Sequence, residues 1–471
     1  MEKLLLFGTG RFYQRRREKL YAMLGQDEIV GFLDNRAEEK RIVDGRPVYL
    51  PGELSGISYD RIILMSASIR EMREQLLQRG VSAARISFYE EYLAAKVAGT
   101  VALPIRAASC REKKRILIVA YAMNYDGGTI VAVYAAQALQ ARGYDVTLTA
   151  SAIHPDLARD VQAMGVEFVA CPTLPYLGDK EREWIGQYDI LIVNVFPNIQ
   201  VACSMRRILP VIWWLHEAGE PYSAIYPHFR YQFSRYDSST QMGGLQIFGV
   251  SPIASRVFSG YYPEVPIGVL PYGIPDTWTH EQARHEIPVF AIIGGIQALK
   301  GQRELLQAAR VLWRKLRRMP FEVWLIGSES DNAYGREVSD LVQQCPFARF
   351  KGILTREKME TAYRSIDVVV CASQEETMSM TCIEGLMHAK VCLTTRNTGI
   401  ASYLEDGVNG FVCEDNRPEH LADALERIWK ARPQWDAIGR RGRMVYEEYF
   451  TMDAFGERLE QALLQAESEK A

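Results

Sequence analysis

Short apolar runs bounded by turn residues alternate along nearly the whole chain with longer segments whose apolar positions recur at helical spacing. The first pattern is that of buried strands and the second that of amphipathic helices, so their alternation predicts parallel sheets covered by helices, an α/β protein. Strands are predicted at 3–7, 29–33 and 61–65, with helices over 11–24 and 69–79, which makes a compact first unit ending near Tyr92. From Ala94 to Arg111 the pattern dissolves into small, mixed residues with a proline, which predicts a linker. A second unit opens with a strand at 115–120, the segment Asn124-Tyr125-Asp126-Gly127-Gly128, a helix over 130–142 and a strand at 145–149. Further strands are predicted at 190–195, 211–215, 246–250 and 267–270. The stretch 272–288 is poor in apolar periodicity and rich in turn residues, and marks a second boundary. The alternation then restarts with strands at 289–293, 321–326, 367–371 and 390–394 and ends in helices from Arg417 onward. The expected units are 1–95, 113–280 and 281–471, with the last helix packing back on the middle one.

Length agrees with this division, since 471 residues at roughly 150 per domain make about three domains. Hydrophobic residues at 48% and charged residues at 24% exclude a disordered or collagen-like polymer. A net charge of -3 leaves no electrostatic footprint for nucleic acid. No apolar run approaches a membrane span, and the N-terminus lacks the length and cleavage site of a signal peptide. A cytoplasmic protein is expected, with peripheral contact at the inner membrane face as an option carried by the basic run Arg15-Arg16-Arg17. The eight cysteines never form C-x-x-C, so they read as reduced, buried side chains and not as zinc ligands.

The most informative stretch is Ser373 to Met387. It follows an apolar strand and leads into an apolar-periodic helix, so 377–380 should lie at a helix N-terminus, where free N–H groups and the dipole favour a phosphate. Glu384, a turn inside that helix, is placed to accept hydrogen bonds from the vicinal hydroxyls of a ribose, and Glu376 to meet sugar hydroxyls beyond the phosphates. The bland alternative is two solvated glutamates. His216 follows an apolar strand, where a lone histidine is more often structural than catalytic. The aromatic stretch 222–236 beyond it offers rings to an acceptor, or, the expectation that helical spacing favours, packs Tyr222, Ile225 or Tyr226, Phe229 and Phe233 inward. In the first unit Gly8-Thr9-Gly10 follows a strand and Asp34-Asn35 ends the next, a short nucleotide-binding pattern in which Tyr13 stands in the place of the third glycine. Bound nucleotide is one expectation there; a structural or homo-oligomerising module is the other.

Glu376 and Glu384, separated by seven residues, resemble the E-x7-E motif of the family-4 retaining glycosyltransferases, whose GT-B fold consists of two facing Rossmann-like domains. Leu270-Pro271-Tyr272-Gly273-Ile274-Pro275-Asp276, Lys300-Gly301, Gly399-Ile400 and Asp406-Gly407-Val408-Asn409-Gly410-Phe411 are similar to further elements of that family, in its order. Gly127-Gly128 resembles its glycine loop and His216-Glu217 its histidine-acid pair. The resemblance implies that Lys300 neutralises a donor diphosphate, that Glu384 holds the ribose, and that the backbone of Met378, Ser379 and Met380 receives phosphates and sugar. It further implies that Glu376 contacts donor hydroxyls, that Gly352, Ile353 and Leu354 offer backbone groups to the base, and that His216 hydrogen-bonds the donor sugar near its reacting carbon. A lysine at a helix start opposes the dipole, a misfit that itself favours function. Where many members carry an arginine, this chain has Gly294-Gly295-Ile296; Arg303, one turn after Lys300, is expected to supply the second positive charge.

The activity implied is transfer of a sugar from a UDP- or GDP-type donor to a glycan, lipid-linked or protein acceptor, with retention of configuration. No cofactor is expected, and no metal, because the D-x-D pair of metal-dependent transferases is absent from the sequence. A sugar-nucleotide epimerase and a catalytically silent GT-B partner subunit are the alternatives; the silent partner never releases nucleoside diphosphate.

Overall fold

The computed structural model describes residues 1–37, 42–66, 69–97, 103–104, 113–124, 127–174, 177–219, 245–279, 286–317 and 320–470. The aromatic stretch 222–236 and most of the expected linker lie outside them. The first unit comprises β1 (Lys3–Phe7), α1 (Arg11–Met23), β2 (Glu28–Leu33), β3 (Ile42–Val43), β4 (Arg46–Tyr49), β5 (Arg61–Leu64), α2 (Ile69–Gln78), β6 (Ile86–Phe88) and α3 (Tyr89–Val97). Its sheet runs β3-β4-β2-β1-β5-β6, parallel except for β3 against β4. The helix α3 carries the unit through Ala94 to Val97, past the predicted start of the linker, because Tyr89, Tyr92 and Leu93 bury one face against the sheet.

The middle unit contains β7 (Arg115–Val119), α4 (Gly127–Ala141), β8 (Asp145–Ala150), α5 (Pro155–Ala163), β9 (Glu167–Ala170), α6 (Asp179–Ile185), β10 (Ile190–Asn194), α7 (Ile199–Met205), β11 (Val211–Leu215), β12 (Leu245–Gly249), α8 (Pro252–Tyr261) and β13 (Gly268–Val269). The order β13-β12-β11-β10-β7-β8-β9 puts the chain's reversal between β7 and β10, with Leu117 opposite Leu191. The central strands are continuously apolar because helices cover both faces. Trp213 and Trp214 of β11 are fully buried, and their indole N–H groups donate to Val195 O (3.1 Å) and Leu270 O (2.8 Å), so each ring is buried without an orphaned donor.

The third unit repeats the plan with β14 (Val289–Ile293), α9 (Gln302–Leu316), β15 (Glu322–Ile326), α10 (Ala333–Gln344), β16 (Ala348–Gly352), α11 (Arg356–Ser365), β17 (Val368–Cys371), α12 (Met380–Met387), β18 (Val391–Thr395), β19 (Phe411–Cys413), α13 (Pro418–Lys430), α14 (Trp435–Tyr449) and α15 (Met452–Lys470). The order β16-β15-β14-β17-β18-β19 again reverses beside the first strand, between β14 and β17. In open α/β sheets the crevice beyond the strand ends at such a reversal is where ligands bind.

The middle and third units share one core. Phe455, Leu459 and Leu463 of α15 are buried in the same cluster as Ile116, Ala135 and Leu139 of the middle unit. Arg142 Nη1 donates to Glu460 at 2.9 Å, Tyr144 Oη to Glu460 at 3.1 Å, and Lys114 Nζ to Glu467 at 2.6 Å. The chain crosses between the units twice, at 271–277 and 450–452, and the two crossings are tied by Ile274 N donating to Phe450 O and Tyr446 Oη donating to Ile274 O, both at 2.9 Å. A Cβ on Gly273 would stand 2.4 Å from Thr451 O, so only glycine lets the crossings touch.

Candidate active site at the crevice between two sheets

The crevice of the third unit is lined by glycines because the strand ends meet there. Gly294, Gly327 and Gly352, just after or at the ends of β14, β15 and β16, have φ of 143°, 149° and 67°, and a Cβ on Gly327 would lie 2.1 Å from Gly294 O. The left-handed Gly301 (φ 75°) brings the start of α9 against the end of β17, where a Cβ would meet Ala372 O at 2.1 Å. Buried Gln302 pins this turn, donating from Nε2 to Gly295 O at 2.9 Å.

That close approach sets Lys300 beside Glu376. Lys300 Nζ donates to Glu376 Oε1 at 2.8 Å, while Ser373 Oγ (2.7 Å) and Cys371 Sγ (3.3 Å) donate to Oε2. Burial works against the ammonium, but the Glu376 carboxylate overrides it and holds the Lys300 pKa above its ordinary value. Thr395 Oγ1 donates to the Ser373 backbone carbonyl at 2.7 Å, so the residue whose hydroxyl holds the carboxylate is itself fixed by a buried side chain. The helix α12 begins at Met380, with Ser379 as its cap: Ser379 Oγ accepts from Cys382 N at 3.3 Å. Thr377 and Met378 precede the helix, and the Met378 side chain is buried in the shared core. Glu384 lies one turn inside, where burial raises its pKa to about 6, and it accepts a 2.6 Å hydrogen bond from Tyr363 Oη.

His216 closes the crevice from the other side, just past β11. Its carbonyl accepts from Thr377 Oγ1 at 2.7 Å, and Gly219 N donates to Glu375 Oε2 at 3.2 Å, two hydrogen bonds from sheet to sheet. Its ring is wedged against Trp214 (4.5 Å) and stacked on Tyr272 (6.5 Å), and its Nε2 is buried with no partner. Burial lowers its pKa to about 3, so the ring is neutral and has an unsatisfied position to offer. Glu217, beside it, accepts from Phe196 N (2.8 Å) and His216 N (3.0 Å), and burial lifts its carboxyl to about 7 against those donors. Val195, with φ 68°, holds the Phe196 N–H toward Glu217 in a conformation that costs a non-glycine residue about 1–3 kcal/mol.

Two placements differ from the sequence expectation. Gly127 and Gly128 are the first residues of α4 and not a loop before it, since the apolar face of that helix extends to its first turn and Gly128 O accepts from the buried Asn194 side chain at 3.0 Å. Arg303 does not bring its charge to the Lys300–Glu376 pair: its guanidinium bonds Glu304 (2.7 Å) and Glu337 (2.8 Å) and lies over the Tyr334 ring. Ile353, just past β16, is 77% exposed, and Leu354 packs against the shared core. Sequence reasoning passed over Tyr363, whose partner Glu384 is distant in sequence, and Tyr134 of α4, which feels the charges of Arg356, Glu384 and Glu360 from the opposite unit; it placed Tyr272 and Glu217 in motifs but gave neither a part in the site. In the first unit Asp34 accepts from Thr9 N (3.0 Å), Thr9 Oγ1 (2.6 Å) and Arg36 N (2.9 Å), so both its oxygens are engaged within the protein. Tyr13 is buried against Phe32 and hydrogen-bonds Asp44. Among the described residues no group of three or more His, Cys, Asp and Glu side chains is placed to hold a metal, and no helix is long and apolar enough to cross a membrane.

Residues 287–431 match the family described as Glycosyl transferases group 1, and residues 1–87 match C2185-like, N-terminal. The D-inositol 3-phosphate glycosyltransferases of Corynebacterium kroppenstedtii and Corynebacterium urealyticum are 26% and 27% identical over 159 and 145 residues, 31% and 30% of this chain. The chain spans about a third of those relatives, 35% and 34% of their lengths. A glycosyltransferase from Rickettsia africae superposes with a TM-score of 0.64 at 16% identity, over 76% of this chain and 99% of that one. HepE of Anabaena, solved in complex with UDP, superposes with a TM-score of 0.63 at 14% identity, over 75% and 100%. Residues 287–431 thus carry the sequence of the glycosyl transferases group 1, and the middle and third units together have the GT-B fold.

Proposed function

We propose that the protein is a metal-independent retaining glycosyltransferase that takes its sugar from a nucleoside diphosphate. The observation that carries this is the convergence of the Lys300–Glu376 pair, the Glu384 carboxylate and the orphaned Nε2 of His216 on one crevice. The donor's diphosphate would lie at the start of α12 and draw on Lys300, its ribose would lie on Glu384, and its sugar would face Glu376 and His216. The C1–O bond to the diphosphate breaks as the acceptor oxygen bonds C1 on the same face, and the acceptor proton passes to the departing phosphate oxygen. Charge grows on that phosphate, and the fixed N–H groups and Lys300 stabilise it without reorganising. Because Glu376 already holds Lys300, the incoming diphosphate competes with a carboxylate for the ammonium.

HepE of Anabaena has been solved with UDP and with UDP-glucose, which favours a UDP-type donor here. The D-inositol 3-phosphate glycosyltransferases favour a small hydroxylated acceptor, while WaaG, a glycosyltransferase involved in lipopolysaccharide biosynthesis, favours a glycan or lipid-linked acceptor in surface polysaccharide synthesis. The test is thermal unfolding with millimolar UDP, GDP, ADP, TDP and CDP. At about 100 times its dissociation constant the true nucleotide adds roughly 2.7 kcal/mol to the domain that binds it. One nucleotide is expected to raise the transition in the wild type and not in Glu384→Ala; no shift with any of them would leave the silent-partner reading.

A further inference from the structure

Away from the donor crevice, a second cleft of about 350 Å³ opens between α8 of the middle unit and the segment 396–412 of the third. Arg256 of α8 and Arg396 line it from the two units. Both side chains belong to exposed residues, and among the described residues neither guanidinium has a hydrogen-bond or ion-pair partner, unlike Arg303, Arg427 and Arg443, which are all held by carboxylates. Among the described residues that line the cleft there is one carboxylate, Asp406, and it is already engaged: Arg427 holds Oδ2 at 2.6 Å and Val412 N donates to Oδ1 at 2.9 Å. The lining hydroxyls are turned inward as well, Thr398 Oγ1 to Thr395 O (2.8 Å) and Ser402 Oγ to Gly399 O (2.7 Å). What remains is an apolar lining of Ile253, Ala401, Leu404 and Val412 with two unneutralised guanidinium groups.

We propose that this cleft binds a phosphate monoester carried on an apolar chain. Two guanidinium forks supply paired donors to the three oxygens of a phosphate, a match lysine does not give. The apolar lining gains from burying a short hydrocarbon and has nothing to offer a sugar hydroxyl. The wall of the cleft is also the support of the donor site, since Thr398 pairs with Glu376 along the backbone and Gly399 N donates to Glu376 O at 2.9 Å. A ligand held by both arginines therefore joins the two units directly behind the Glu376 segment.

The test is calorimetric titration of the full chain with octyl phosphate below its micelle concentration, with octanol, glucose 6-phosphate and inorganic phosphate as the other arms. Octyl phosphate is expected to bind one to one, at least tenfold more tightly than the other three, and more weakly at high salt. Arg256→Gln and Arg396→Gln should each weaken it at least tenfold, and Arg256→Lys, which keeps charge without the fork, should fall between. Both positions are exposed, so the melting temperatures should stay at the wild-type value, and any UDP binding should be unchanged, which separates this site from the donor crevice. Failure of octyl phosphate to bind, or binding untouched by both glutamine variants, overturns the proposal. Tighter binding of glucose 6-phosphate overturns the apolar chain and makes the ligand a soluble sugar phosphate. Equal binding of inorganic phosphate leaves an unselective anion contact and overturns it too.

Discussion

Glu217 and Glu384 are carboxyls that burial holds near neutrality, and their titration gives two separate readouts of the crevice. Glu217 binds its proton more tightly folded (about 7) than at its ordinary value of 4.5, so its contribution to stability is complete below pH 4.5 and is lost as pH rises through 7. Between pH 5 and pH 8 the unfolding free energy of the wild type should fall by roughly 2–3 kcal/mol relative to Glu217→Gln, which does not titrate; denaturant melts of the pair at both pH values measure it, and parallel pH profiles would refute it. Glu384, raised to about 6, must be ionised to accept both ribose hydroxyls, so nucleotide affinity should drop about tenfold from pH 7 to pH 5 and be level in Glu384→Gln. His216 contributes no limb near pH 6.5 because burial keeps it neutral down to about 3, yet His216→Ala should lower transfer by about 100-fold, the loss typical of one fixed transition-state partner. At this scale the sequence names residues whose motif is local, such as Glu376, Glu384 and Lys300. It is silent on Tyr363, whose partner Glu384 lies on another helix and leaves no spacing to read, and it pairs Glu217 with His216 without showing the burial that makes it titrate.

Elements were legible in proportion to the length of their apolar run. The continuous apolar runs of β7, β10, β11 and β14 read as strands because both faces are covered, whereas β9 (EFVA), β6 (ISF) and β19 (FVC) are short and lie at or near sheet edges, where no period is long enough to count. The helix α4 starts three residues earlier than its periodicity predicts, because glycine at its first two positions hides the apolar face. The turn between Lys300 and α9 carries the element-scale prediction. Gly301→Ala places a Cβ 2.1 Å from Ala372 O at a φ of 75°, so the start of α9 must move away from β17 and take Lys300 with it. A loss of about 2 kcal/mol or more is expected, with weaker nucleotide binding, and Gly407→Ala, also left-handed (φ 77°) but facing open space, serves as the control with the backbone cost alone, about 1–2 kcal/mol. Equal stability and equal nucleotide affinity in the two variants would show that the contact with β17 does not position the lysine.

In the whole molecule, the strand orders and the pairing of the units are the least legible features, since an apolar period marks that a face is buried and not what covers it. The last helix shows this: Phe455, Leu459, Ala462, Leu463 and Ala466 recur at helical spacing and are all buried, but their cover is α4, more than 300 residues earlier in the chain. Because α15 completes the core of the middle unit from the far end of the chain, removing residues 452–471 takes three large apolar side chains from that core and leaves their sockets on α4 open. At about 1.5–3 kcal/mol for each, the loss is roughly 5–9 kcal/mol, comparable to the whole stability of a domain. The truncated chain should therefore lose the middle unit first, with hydrogen exchange rising in β7, β8 and α4 while the β14–β17 sheet, whose core is formed by α9, α10 and α13, stays protected. The milder Leu459→Ala should lower the same transition by about 2–5 kcal/mol and leave the third unit unchanged. Uniform loss of protection across both sheets would mean instead that the two units fold as one body through their shared core, and protection unchanged in α4 would mean that α15 adds nothing to the core it covers.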